Sequence, residues 1–363
     1  MIEVFGPTYR YQGEQLTTPE IVVVNDHHYN DQDHCYHVEQ LLANSTCDPS
    51  QHILVMDHVN HEDELEKYHC LCLPIFVAES CEEFKNQNIT VNWANKTHAF
   101  NFMINKPRPH REFLMMLIEH FDLTNYTHTL PWQSINLNKQ SFKQITNNTQ
   151  YQQIIDQSNV SIPMTNYHFG PETTLEHGIL NGSYKNSETY QHLLQKTVFE
   201  PACVSLITEP AFYERETIHT EKTVMAIYGG TFPIWVGGWG LADWMKSLGF
   251  DVFDDIIDHS YQYMSDPLDR CYHAVKLNLE LLQNFDLVHE LLQKNQSRLE
   301  HNLTLLKQNV FLTDCINKVK QYPDNVQSVL YSVIPKYRGN TAGPYRSLPG
   351  YRLLGSPNTR EKQ

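Results

Sequence analysis

The feature that most constrains this chain is a run of short apolar segments, each followed by a polar turn and then by a stretch of helical length. Ile21–Val24, Ile53–Met56, Leu71–Val77 and Phe100–Ile104 are four to seven residues long. That is too short for a core helix, and their continuous apolarity suits strands buried on both faces. Cys35–Ala43 and Glu62–Tyr68 supply helical lengths between them. Such alternation predicts an α/β fold with a parallel sheet, and 363 residues leave room for two such units.

A second unit is expected to open at the strand Phe100–Ile104. Asn105-Lys-Pro-Arg-Pro-His-Arg111 carries two prolines and reads as a basic turn. Glu112–Phe121 has helical spacing, with Phe113, Leu114, Leu117, Ile118 and Phe121 on one side. Residues 133–190 are polar and weakly periodic, and read as insertions and long loops. Order resumes at the strand Val204–Ile207, followed by Thr208-Glu-Pro-Ala211. Thr220 is the expected N-cap of a helix Glu221–Tyr228, which Gly229-Gly230 stops. Phe232–Val236 is the next strand, and Gly237-Gly-Trp-Gly240 turns into a helix Leu241–Leu248. Leu268–Leu306 reads as helical. Its leucine stripe packs either along the flank of the domain or, as a homodimer contact through residues 275–306, against a second copy.

Charge narrows the function classes. The total is −15, yet the six basic residues and one acid of Lys336–Gln363 make that tail +5 and the remainder −20. A chain built mainly to grip a phosphate backbone needs clustered cations throughout, so nucleic acid is not the default partner, and the tail is the one candidate arm. No apolar run approaches the length of a membrane span, and the N-terminus lacks a basic, then apolar, leader. The expectation is a cytoplasmic protein without a membrane partner, in the host cytoplasm if viral. Eight cysteines without a CxxC suggest reduced thiols, with Cys70 and Cys72 buried on one strand face. The 20 histidines share no helical face, and Asp31-Gln-Asp33 lies too near the first strand to act as a metal-binding Asp-x-Asp; no metal is expected.

Two turns carry the chemistry. A helix start offers free amides and the positive end of the dipole to an anion. Arg111 and Lys222 would add charge at two such starts, and Glu221 could accept from a sugar diol. Phe102-Met-Ile-Asn-Lys-Pro-Arg-Pro-His-Arg111 resembles the opening of the donor domain in fucosyltransferase-like GT-B glycosyltransferases. Val204-Ser-Leu-Ile-Thr-Glu-Pro-Ala211, Thr220-Glu-Lys222 and Gly230-Thr-Phe-Pro-Ile-Trp-Val-Gly237 are similar to that family's later motif of strand, Glu, Thr-Glu-Lys helix and Gly-x-x-Pro-Ile strand. Leu248-Gly-Phe-Asp-Val-Phe253 and Asp258-His-Ser-Tyr261 are closest in character to its phage and bacterial members. The resemblance spans roughly Phe100–Arg270.

What the resemblance implies is a GT-B-like fold of two Rossmann-like lobes with a C-terminal helical extension. Residues 1–97 would form the acceptor lobe, 98–310 the nucleotide-sugar lobe, and 311–363 a helical and basic Pro/Gly-rich tail. The activity would be inverting, metal-independent glycosyl transfer with no cofactor, from a GDP- or UDP-linked sugar to a glycan or a hydroxylated base in phage DNA. Arg111 and Lys222 would clamp the diphosphate, Glu221 would bind the ribose, Asn105 and Thr220 would complete the donor pocket, and Glu209 would stand near the donor sugar. Ile218 occupies a position where the family often has an aromatic residue. The general base would come from the N-terminal lobe. Asp26, His27, Asp57 and His58 are candidates because they follow strands directly, with Asp26 preferred and Asp57 next. The alternative is a non-catalytic, nucleotide-sugar-binding or virion-associated protein of the same fold.

Overall fold

The computed structural model describes residues 4–5, 21–24, 44, 46, 48, 53–56, 59–60, 69–85, 91, 93–104, 109–131, 146–159, 198–210, 216–334 and 353–354. The chain divides into two compact units. The first comprises Met1–Glu79, Glu214–His219 and Asn309–Gln363, and the second comprises Ser80–Tyr213 and Thr220–Gln308. The division therefore places residues 80–97 with the second unit and the helices after Asn309 with the first.

In the first unit the strands are β1 (Val4–Phe5), β2 (Ile21–Val24), β3 (Ile53–Met56), β4 (Val59–Asn60) and β5 (His69–Cys72). The strands β2, β3 and β5 form a parallel sheet in that order. The expected strand Leu71–Val77 is corrected: its strand part ends at Cys72, and Ile75–Val77 opens helix α1 (Ile75–Lys85). Pro74 accounts for the change, since its ring cannot donate to a ladder but suits the turn that precedes a helix. The cysteine reading is corrected as well, for Cys70 is exposed and Cys72 half-buried. The segments of helical length, Cys35–Ala43 and Glu62–Tyr68, lie outside the described residues.

The second unit holds β6 (His98–Ile104), α2 (Pro109–His120), β7 (Thr127–Pro131), α3 (Thr149–Gln157) and β8 (Ala202–Thr208). The short β9 (Glu216–Thr217) belongs to the first unit, where it pairs with β4, and the second unit resumes with α4 (Glu221–Tyr228), β10 (Phe232–Val236) and α5 (Leu241–Ser247). Its sheet is parallel throughout, in the order β10-β8-β6-β7. Every residue of β8 and β10 is buried, which is why neither segment shows polar alternation. Phe100, Phe102, Val204, Leu206, Phe232 and Ile234 make the sheet's contribution to the core.

The region expected as one long helical stretch is four helices, α6 (Pro267–Leu277), α7 (Leu279–Gln283), α8 (Phe285–Lys294) and α9 (Gln296–Gln308). Each break falls at an asparagine. The Asn284 side chain accepts from the Leu287 amide and so caps the next helix. Leu281, Val288, Leu292 and Leu299 of the stripe are buried in the core of their own unit. Beyond Asn309, α10 (Val310–Val319) and α11 (Asp324–Val333) belong to the first unit, as does β11 (Leu353–Leu354), which pairs in parallel with β1. No helix among the described residues is long and apolar enough to cross a membrane.

Candidate functional site

Strand order locates the site. From β6 the chain winds outward to β7, whereas from β8 it winds the opposite way to β10. The carboxyl ends of β6 and β8 therefore flank a topological switch point, the place where open parallel sheets leave a crevice for a ligand. Helix α2 starts just beyond β6, and α4 starts in the segment beyond β8.

Both helix starts are tied to two consecutive residues at the end of β8. Arg111, in the first turn of α2 and only 3% exposed, donates from Nε to the Thr208 hydroxyl at 3.1 Å and from Nη2 to the Thr208 carbonyl at 3.3 Å. His110 Nε2 donates to the Glu209 carbonyl at 3.0 Å. These contacts hold the guanidinium at the strand end, and its planar fork suits a phosphate as well as a carbonyl.

Glu209 does the same for α4. Its carboxylate is wholly buried and accepts the Thr220 amide at 3.0 Å, the Thr220 hydroxyl at 2.6 Å and the Thr223 hydroxyl at 2.8 Å. Trp235 Nε1 donates to the same Thr223 hydroxyl at 2.9 Å, linking β10 to the cluster. Burial pushes the Glu209 carboxyl above its ordinary range, against the pull of Lys222 and of the Thr220 and Thr223 hydrogen bonds. Thr220 is the N-cap, as its position before the helix predicts. Lys222 Nζ stands 3.1 Å from Thr220 Oγ1 and 3.1 Å from Glu221 Oε1, with the lysine buried and Glu221 at the rim.

Thus Arg111, Glu209, Thr220, Glu221 and Lys222 are gathered by elements that surround one switch point. Asp26, Asp57 and Asn105 lie outside the described residues, as do His27 and His58. No family model matches the chain, and no curated protein or solved structure matches it.

Three residues of the cluster, Thr223, His110 and Trp235, have no role assigned to them by the sequence. Thr223 follows Thr220 at i+3, the spacing that stacks two side chains on one helix face, and this was a usable signal. His110 and Trp235 meet Glu209 and Thr223 only through the folded sheet. Behind the site, Arg270 is 1% exposed and donates to the carbonyls of Gly237 and Met264, while the Tyr261 hydroxyl donates to the Trp235 carbonyl. These bonds brace the loop Gly237–Gly240 that leaves β10. Among the described residues, no group of three or more His, Cys, Asp or Glu side chains is placed to hold a metal ion.

Chemically, the arrangement places two nearly buried cations, each held by hydrogen bonds, in the first turns of two helices, where the helix dipole favours an anion. Such groups need little rearrangement when negative charge arrives or develops.

Proposed function

We propose that the chain is a glycosyltransferase that moves a sugar from a nucleotide-diphosphate donor to a hydroxyl acceptor, with inversion and without a metal. In this reading the two units are the two lobes of a GT-B-like enzyme, and the second binds the donor. The observation that carries it is the anchoring of two nearly buried cations at the switch point, Arg111 directly to Thr208 and Lys222 through the Thr220 hydroxyl to the next residue, Glu209. The paired resemblance of the Arg111 turn and the Thr220-Glu-Lys222 helix supports the same assignment.

The mechanism follows from what the transfer requires. As the glycosidic bond breaks, the leaving nucleoside diphosphate gains negative charge, which Arg111, Lys222 and the helix amides stabilise. Glu221, at the rim, is suited to accept from the ribose hydroxyls. A general base removes the proton of the acceptor hydroxyl as it attacks the opposite face of the sugar, and Asp26 or Asp57 of the first unit is proposed for that role. The acceptor is a glycan or a hydroxylated DNA base.

A thermal-shift panel of GDP- and UDP-sugars tests the reading, because a ligand that binds the folded state raises its apparent stability. One donor should raise Tm, and Lys222→Ala should remove most of that rise. No rise with any donor would sink the proposal.

A further inference from the structure

The second cation of the site does not stand on its own side chain alone. A threonine hydroxyl has one proton to give and two lone pairs to receive. Thr220 gives its proton to Glu209 Oε2 at 2.6 Å. Its lone pairs are thereby left for Lys222, whose Nζ donates at 3.1 Å and whose amide approaches at 3.5 Å. The other oxygen of Glu209 is occupied by the Thr220 amide and the Thr223 hydroxyl, which Trp235 holds in turn. The carboxylate therefore cannot rotate without breaking several bonds in a region closed to water.

We propose that Glu209 is a positioning residue that, through the Thr220 hydroxyl, fixes where the Lys222 ammonium stands at the start of α4. The inference rests on the reading of that helix start as a diphosphate site, and it gives Glu209 a role that needs no contact with the sugar. A carboxylate is required because it only accepts hydrogen bonds. In Glu209→Gln one of the two positions becomes an amide donor. If the amide faces Thr220 Oγ1, it takes a lone pair that Lys222 uses, and the threonine proton must turn elsewhere. The side chain keeps its volume, so packing is preserved while the direction of the chain of bonds is lost.

The test is calorimetric titration of the full chain with GDP and with UDP, following whichever binds the wild type more tightly. Glu209→Gln and Thr220→Val should each weaken binding about tenfold, a typical consequence of losing one hydrogen bond to a charged group. Thr220→Ser, which keeps the hydroxyl, should bind like the wild type. The double variant Glu209→Gln/Thr220→Val should be no weaker than either single one, since both cut the same path. Losses that multiply to about a hundredfold would mark two independent defects and overturn the proposal. Should Glu209→Gln fail to fold by circular dichroism, the Thr220 pair decides, and equal affinities of the serine and valine variants overturn it. A wild type that binds neither nucleotide overturns the diphosphate reading and this inference with it. Tight wild-type binding with unchanged variants overturns the inference alone.

Discussion

Glu112 follows Arg111 in the first turn of α2 and is 9% exposed. Burial pushes its carboxyl up to about 7. A carboxyl in this state favours the protonated form in the folded chain, so the folded state binds more protons than the unfolded one between the ordinary glutamate value and neutrality. Its contribution to stability is present below about pH 4.5 and is lost as pH rises through about 7. Glu112→Gln removes this dependence. The variant should melt higher than the wild type at pH 8, by a few degrees for a penalty on the order of 2 kcal/mol, and the gap should close toward pH 4.5. Melting curves across that range check the prediction, and a gap that widens toward acid would refute it. In its protonated form Glu112 leaves the positive charge of the neighbouring Arg111 uncancelled.

At the scale of elements, α4 is only eight residues long, below the length at which a helix is stable by itself. It is therefore held at both ends. Thr220 and Glu209 secure its start, and the nearly buried Lys96 donates to the Gly229 carbonyl at 2.7 Å where it stops. Gly230 follows at φ 62°, and a Cβ there would meet Val91 Cγ1 at 2.5 Å and the Trp93 ring at 2.7 Å. Gly230→Ala should cost roughly 2–3 kcal/mol by chemical denaturation, combining left-handed strain with the clash. Gly249→Ala, also at positive φ but with its nearest neighbour at 3.9 Å, should cost about 1 kcal/mol. Equal losses at the two sites would show that the clash is relieved.

These same elements show where sequence suffices. Helix α4 and strand β10 are legible to the residue, because their stop and start signals are local: a threonine cap, paired glycines, and an apolar run. The leucine stripe after Leu268 is legible as helix but not as four helices, since the breaks depend on what each asparagine meets in the fold: Asn284 caps the Leu287 amide, Asn278 bonds the backbone of Asp258, and Asn295 bonds Leu291 and Arg298. Arg111 and Lys222 could be placed at helix starts from their own neighbours. That Arg111 meets Thr208, and that Trp235 reaches Glu209 through Thr223, depends on the sheet order, and no local pattern encodes it.

For the whole molecule, the balance of charge separates the two acceptor classes. A diphosphate requires only a local clamp, which in the proposed reading Arg111 and Lys222 would supply inside a chain of net charge −15. A duplex requires cations along its length, and the +5 tail from Lys336 is the one segment with that excess. Leu353–Leu354 pairs with β1, so deleting the tail would remove structure as well as charge. Replacing its basic residues by glutamine keeps the strand and isolates the charge. The distribution predicts that these residues carry whatever affinity the chain has for duplex DNA, plain or hydroxymethylated. Retardation of either duplex should disappear in the glutamine variant, while donor-induced thermal shifts persist. With six cations in play, the salt slope of the intact chain should be no steeper than about −5. Retardation that survives neutralisation would place a basic groove within the acidic body, whereas an intact chain that leaves both duplexes unretarded directs the acceptor search to glycans.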